Sequence, residues 1–187
     1  MARQTLRAKI TGVSPLLMHN GQLVDPMNKF TKAMKEIRDR KDKTDAGLAE
    51  LARLEWHGSL YLKDGRPCIP GAMMEACLVE AAKKVKKGKQ ARAGIICPED
   101  SPLDYEGPKS IEELFESGFK LTVQCVIKRD RIMRTRPMFK KWGALVDIWY
   151  DDIMFNRSDI INMLKTAGDY IGIGDWRPKF GMFTVEV

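Results

Sequence analysis

FKLTVQCVIKRDRIMRTRPMFKKWGALVDIWYDD, residues 119–152, is the stretch on which the fold turns. Phe119, Leu121, Val123, Cys125 and Ile127 recur at every second position, the period of a half-buried strand. GALVDIWYDD (143–152) reads as the partner strand. Between them, KRDRIMRTRPMFKK (128–141) holds seven basic residues and one acid. It is too long for a tight turn and too charged to be buried, which predicts a basic finger projecting from the sheet.

Upstream, QTLRAKITGV (4–13) alternates Leu6, Ala8 and Ile10 with Thr5, Arg7 and Lys9, as a first strand should. AMMEACLVEAAKKVKK (72–87) keeps Met74, Leu78, Ala81 and Val85 at helical spacing, and Gly88 is the expected stop. A Lys63-Asp64-Gly65-Arg66 turn signal before it predicts a hairpin. Downstream, SDIINMLKTAG (158–168) reads as a helix capped by Ser158 and ended by Gly168, and MFTVEV (182–187) closes the chain as a strand. Without its insertions the order is strand, helix, strand, strand, helix, strand. That order predicts an α+β fold with a ferredoxin-like (RRM-like) βαββαβ core, an antiparallel sheet, and inserted helical and β-hairpin segments. One domain over 1–187 is expected, with insertions at about 20–57 (helical), 88–118 (irregular) and 128–142 (the basic finger).

Of the 187 residues, 44% are hydrophobic and 30% charged, a balance that fits a globular chain rather than a disordered one. No apolar run reaches membrane-spanning length and MARQTLRAKI lacks a signal-peptide core, so a cytoplasmic protein without a membrane partner is expected. Cys68, Cys77, Cys97 and Cys125 form no CxxC pair and, with His19 and His57, give no zinc spacing. They are expected to be small buried hydrophobes, with no metal and no cofactor. GIG in the closing segment precedes the last strand instead of following the first, which argues against a dinucleotide site.

The net charge of +7 is concentrated. KKVKKGKQAR (83–92) has six basic residues and no acid, and with 128–141 it holds more positive charge than the whole chain nets. Nearly acid-free basic blocks meet polyanions more often than they serve as solvated faces. The expected nucleic-acid contacts are Lys83, Lys84, Lys86, Lys87, Lys89 and Arg92 in the first window, and Lys128, Arg129, Arg131, Arg134, Arg136, Lys140 and Lys141 in the second. Trp142 is expected either to stack on a base or to anchor the finger. Gly172 and Gly174 would let the closing loop approach a strand closely, Arg177 and Lys179 would supply charge, and Trp176 is expected either to stack on a base or to wedge the loop against the sheet.

Two segments carry a resemblance. GRPCIPGAMMEACLVEAAKK (65–84) resembles the turn-to-helix entry of RAMP-superfamily proteins, particularly Cas7-type CRISPR backbone subunits. GIGDWRPKFGMFTVEV (172–187) occupies the place of the glycine-rich loop before a RAMP protein's last strand, and also resembles the ends of uncharacterised phage and mobile-element proteins. The resemblance implies an RNA or single-stranded DNA partner and a homo-oligomer or filament with other complex subunits, in antiviral defence. It also implies two alternatives for catalysis, since Cas6-type relatives often use a histidine (here His19) and some Cas7-like subunits an aspartate in an early loop (here Asp25). A phage or mobile-element assembly protein without nucleic acid is the remaining reading.

Overall fold

The computed structural model describes residues 3–40, 44–127 and 130–187. In chain order the strands are β1 (Arg3–Gly12), β2 (Leu16–Leu17), β3 (Leu62–Lys63), β4 (Arg66–Ile69), β5 (Ile95–Ile96), β6 (Ser101–Pro102), β7 (Lys120–Ile127), β8 (Asp130–Phe139), β9 (Gly143–Asp151) and β10 (Phe183–Glu186). The α-helices are α1 (Lys29–Arg38), α2 (Asp45–Ser59), α3 (Gly71–Lys83), α4 (Gly88–Gly94), α5 (Ile111–Glu116) and α6 (Arg157–Thr166). Two compact units result: one from residues up to Leu16, Leu62–Glu106 and Lys140–Val187, the other from Leu17–Tyr61 and Gly107–Phe139.

The first unit carries the ferredoxin-like core. Its sheet runs β10-β1-β9-β5, every neighbour antiparallel. In terms of the core strands alone that order is fourth, first, third, second, with α3 before the second and α6 before the fourth, the split βαβ arrangement. Register follows the pleat: Leu6, Ala8 and Ile10 of β1 and Ala144, Val146 and Ile148 of β9 are all buried. Met74, Cys77, Leu78 and Ala81 of α3, with Ile160, Met163 and Leu164 of α6, supply the apolar helix faces. Arg7 lies opposite Asp147 and makes two hydrogen bonds of 2.7 Å to its carboxylate on the sheet's exposed side.

The structure corrects the assignment of the second core strand. FKLTVQCVIK does not pair with GALVDIWYDD; β7 pairs with β8, from Lys120↔Pro137 to Ile127↔Asp130. The second core strand is instead β5, two residues long, paired as Ile95↔Tyr150 and Ile96↔Trp149. The basic stretch is therefore itself largely a strand, and its expected projection as a finger fails over 130–139. The reason is electrostatic. Glu55 of α2, with its side chain 6% exposed, accepts from Arg134 Nη1 at 2.8 Å, from Arg136 Nη1 at 2.9 Å and from the Thr135 amide at 2.9 Å. One buried carboxylate thus lets two arginines enter a sheet that charge alone would exclude. Trp56 on the next position of α2 is fully buried and donates from Nε1 to the carbonyl of Phe119, the residue before β7, at 2.8 Å, so consecutive residues fasten α2 to β8 and to the entry of β7.

Smaller corrections concern helix ends. Asn156, not Ser158, caps α6, in a reciprocal capping box with Asp159. Gly168 does not end that helix: the chain continues through a π-helical turn, Ala167–Ile171, and leaves at Gly172 with φ +73°. Gly88 does not stop α3, which ends at Lys83; it opens α4. The predicted hairpin forms as β3 and β4, with Asp64 and Gly65 both at positive φ.

Three experiments check these packing arguments. Glu55→Ala strands two arginines without their carboxylate and is expected to destabilise the protein by about 3–5 kcal/mol in urea unfolding; a change below 1 kcal/mol, on the order of a surface pair, contradicts the triad. Gly181 sits at φ +75° and a Cβ there would stand 1.7 Å from the Ile173 carbonyl oxygen, so Gly181→Ala should cost at least about 2 kcal/mol in thermal melts. Burial pushes the Cys77 and Cys97 thiols up to about 12 and Cys68 up to about 11. Native protein at pH 8 should therefore react with a thiol reagent first at half-buried Cys125, the other three labelling only on unfolding.

Candidate nucleic-acid interface

Within the first unit, the end of α3, all of α4 and the closing loop form one surface. Helix α3 ends in a basic turn because Lys83 and its neighbours suit the carbonyl end of the helix dipole. The chain reverses at Lys86, with φ +61°, and Gly88 starts α4 close enough that a Cβ would meet the Lys83 side chain at 2.6 Å. This tight reversal gathers Lys83, Lys86, Lys89 and Arg92 around a shallow cleft of about 780 Å³ whose lining includes no carboxylate. Lys84 is also exposed. Lys87 differs: it is half-buried, lies 3.2 Å from the Asp159 carboxylate and 5.7 Å over the Phe155 ring. Its role is to hold the α3–α4 turn to α6 and the loop before it.

The closing loop reaches the same helix. Cys77 Sγ donates to the Gly172 carbonyl at 3.2 Å, and burial keeps that thiol protonated and able to donate. The Ile173 amide donates to the Gly181 carbonyl at 2.9 Å, so residues 174–180 leave as a closed loop. Trp176 is exposed at φ +54°, Arg177 and Lys179 are exposed, and Gly174 is half-buried at φ +82°. Glu80 on α3 ties the two parts together. Its hydrogen bond from Lys83, then the charges of Lys83, Arg177 and Arg92, hold its carboxyl below the usual carboxylate range.

Several expected contacts have other work. Gly172 is buried, and its missing Cβ faces the Phe180 carbonyl oxygen at 2.9 Å; the glycine serves the loop's own closure rather than an approaching strand. Trp142 is 4% exposed, donates from Nε1 to the Ser14 carbonyl at 2.8 Å and packs edge-on against Phe183. That corrects the stacking alternative and leaves the anchoring one. In the second window, Arg134 and Arg136 are committed to Glu55, which removes them as phosphate ligands. Arg131 is exposed in the second unit, beside a largely apolar groove of about 880 Å³ between α2 and β8. Lys140 and Lys141 are exposed in the first unit, Lys141 within 3.7 Å of Glu106. Lys128 and Arg129 lie outside the described residues.

The two catalytic candidates belong to the second unit. His19 is half-buried and its carbonyl accepts from the Tyr61 hydroxyl at 2.9 Å. Asp25 Oδ1 accepts from the Met27 amide at 2.8 Å, the side-chain turn that an Asp-Pro sequence favours. Among the described residues, no group of three or more His, Cys, Asp or Glu is placed to share a metal ion, and no helix is long and apolar enough to cross a membrane.

Sequence reasoning missed Glu80 and Tyr170. Glu80 stands three residues before Lys83 on a helix, a spacing that brings side chains together; Tyr170 is 68% exposed in the π-helical turn. Their polar and aromatic character gave no periodic signal.

No protein-family profile matches the chain, and no curated protein matches it. Among solved structures, the crystal structure of Cmr6 from Pyrococcus furiosus matches over 99% of this chain and 98% of that chain, at 13% identity and a TM-score of 0.45.

Proposed function

We propose that this protein is a non-catalytic subunit that binds single-stranded nucleic acid, RNA foremost, and assembles in several copies along the strand as the backbone of a ribonucleoprotein, in the manner of Cas7-like proteins. The observation that carries the reading is the carboxylate-free cleft of Lys83, Lys86, Lys89 and Arg92, continued by Arg177 of the closing loop. Lys83 is held by Glu80 at 2.5 Å, while Lys86, Lys89 and Arg92 line the concavity with no carboxylate in that lining; their mutual repulsion is relieved by an anion, and a phosphodiester chain supplies anions at regular spacing. Lysines offer compact charges and arginines a planar fork for two phosphate oxygens. Such contacts position a strand without reading its sequence, as a backbone subunit requires. The resemblance of residues 65–84 and 172–187 to RAMP-superfamily segments supports the same reading, because those segments supply Lys83 and Arg177 to this surface.

If Lys86, Lys89 and Arg92 each neutralise one phosphate, log K for a single-stranded RNA should fall with log salt at a slope of about −2.1. Lys86→Ala with Lys89→Ala should flatten that slope by about 1.4 while leaving the melting temperature unchanged, since both side chains are exposed. Fluorescence anisotropy over a salt series measures both. Absence of binding at low salt contradicts the proposal and favours an assembly protein that works without nucleic acid; cleavage of the RNA contradicts the non-catalytic assignment.

A further inference from the structure

Beside the basic cleft lies a second concavity, of about 450 Å³, lined among others by Glu80, Tyr170, Asp175, Trp176 and Arg177. Its composition differs from the cleft's. Two aromatic side chains, Tyr170 and Trp176, line it while remaining 68% and 39% exposed. Trp176 holds a left-handed backbone conformation that a bulky L-residue adopts only when its surroundings impose it, and such residues collect at binding sites. The loop's own backbone bonds impose it here, presenting the indole on a closed support. An anionic and a cationic planar group, Glu80 and Arg177, face the same space.

We infer that this concavity takes one unpaired nucleobase of the bound strand, stacked on Trp176, and that it prefers guanine. The inference rests on the reading of the adjoining cleft as a nucleic-acid surface and adds to it a point where sequence is read. Stacking on an exposed aromatic ring serves every base, because each has a π-face. The hydrogen-bonding groups discriminate. Guanine offers two adjacent N–H donors, N1 and N2, to a carboxylate, and two acceptors, O6 and N7, to a guanidinium. Uracil has a single N–H between two carbonyl oxygens, which a carboxylate repels. Cytosine and adenine each place an acceptor beside their amino group, so neither gives Glu80 a matched pair. Glu80 Oε1 accepts from Lys83 Nζ at 2.5 Å, and the further lone pairs of its two carboxylate oxygens are the acceptors for guanine's N1–H and N2–H. A strand whose phosphates lie along Lys83, Lys86, Lys89 and Arg92 would need to turn only one base toward α3 to fill this space.

The test uses the full chain and two labelled RNA 9-mers of equal charge, U9 and U4GU4, titrated at one salt concentration. The single guanine should tighten binding about tenfold. Trp176→Ala should weaken binding of both RNAs by about tenfold, and Glu80→Gln should bring their affinity ratio close to one. Circular-dichroism melts establish that each variant is folded; should Trp176→Ala fail to fold, quenching of tryptophan emission in the unmodified protein by both RNAs, half-complete at about tenfold lower concentration for U4GU4 than for U9, serves in its place. Equal binding of U9 and U4GU4 by the unmodified protein overturns the base pocket alone, as does a guanine preference that survives Glu80→Gln. If neither RNA binds, the nucleic-acid reading of the whole surface falls, and the pocket with it.

Discussion

The surface of the first unit depends on one close approach of backbone to backbone. Gly181 donates to the Pro15 carbonyl at 2.9 Å and accepts from Ile173 at 2.9 Å. No side chain fits there, and Gly172 faces the opposite arm of the loop with the same restriction. The crossing fixes two things together. It delivers Phe183 into the register Gly12↔Phe183, so that β10 closes the sheet against β1, and it closes the loop that carries Trp176 and Arg177 to the flank of α3. Fold and site are joined at one pair of glycines, whose conformational freedom is spent on the protein's own geometry.

Charge runs that look alike in sequence meet different fates. Of the cations in residues 83–92, Lys83 and Lys84 suit the carbonyl end of α3, the turn into α4 leaves Lys86, Lys89 and Arg92 exposed, and Lys87 alone turns back to Asp159. Residues 130–139 alternate as a strand and surrender two arginines to Glu55. The distinguishing residue lies some eighty positions away in the chain, on α2. A buried carboxylate with three donors is worth keeping because it orients α2 on the hairpin, a specificity argument more than a stability one.

Local order was legible where the residues themselves impose it. The alternation of Leu6, Ala8 and Ile10, the stripe of Met74, Leu78 and Ala81, and the closing strand all form where their periodicity predicts. Pairing was not legible. Strand β5 is two isoleucines, too short to show a period, yet it edges the core sheet, while the longer alternation of 119–127 belongs to a separate hairpin. The candidate site divides the same way. Lys83, Lys86, Lys89, Arg92, Arg177 and Trp176 were visible as charge and aromatic clusters, whereas Glu80 and Tyr170 become meaningful only once the loop is folded back on α3. Trp142 misled because an indole beside lysines looks like a stacking ring, and only its bond to Ser14 shows it to be a wedge inside the sheet.

On the proposed function, nucleic acid lies along the end of α3, α4 and the closing loop, and not along the arginine-rich strand β8. Photo-crosslinking with RNA carrying 4-thiouridine, followed by peptide mapping, tests it most directly. Cross-links are predicted in the peptides spanning residues 83–92 and 170–180; cross-links confined to residues 130–141 would contradict the account.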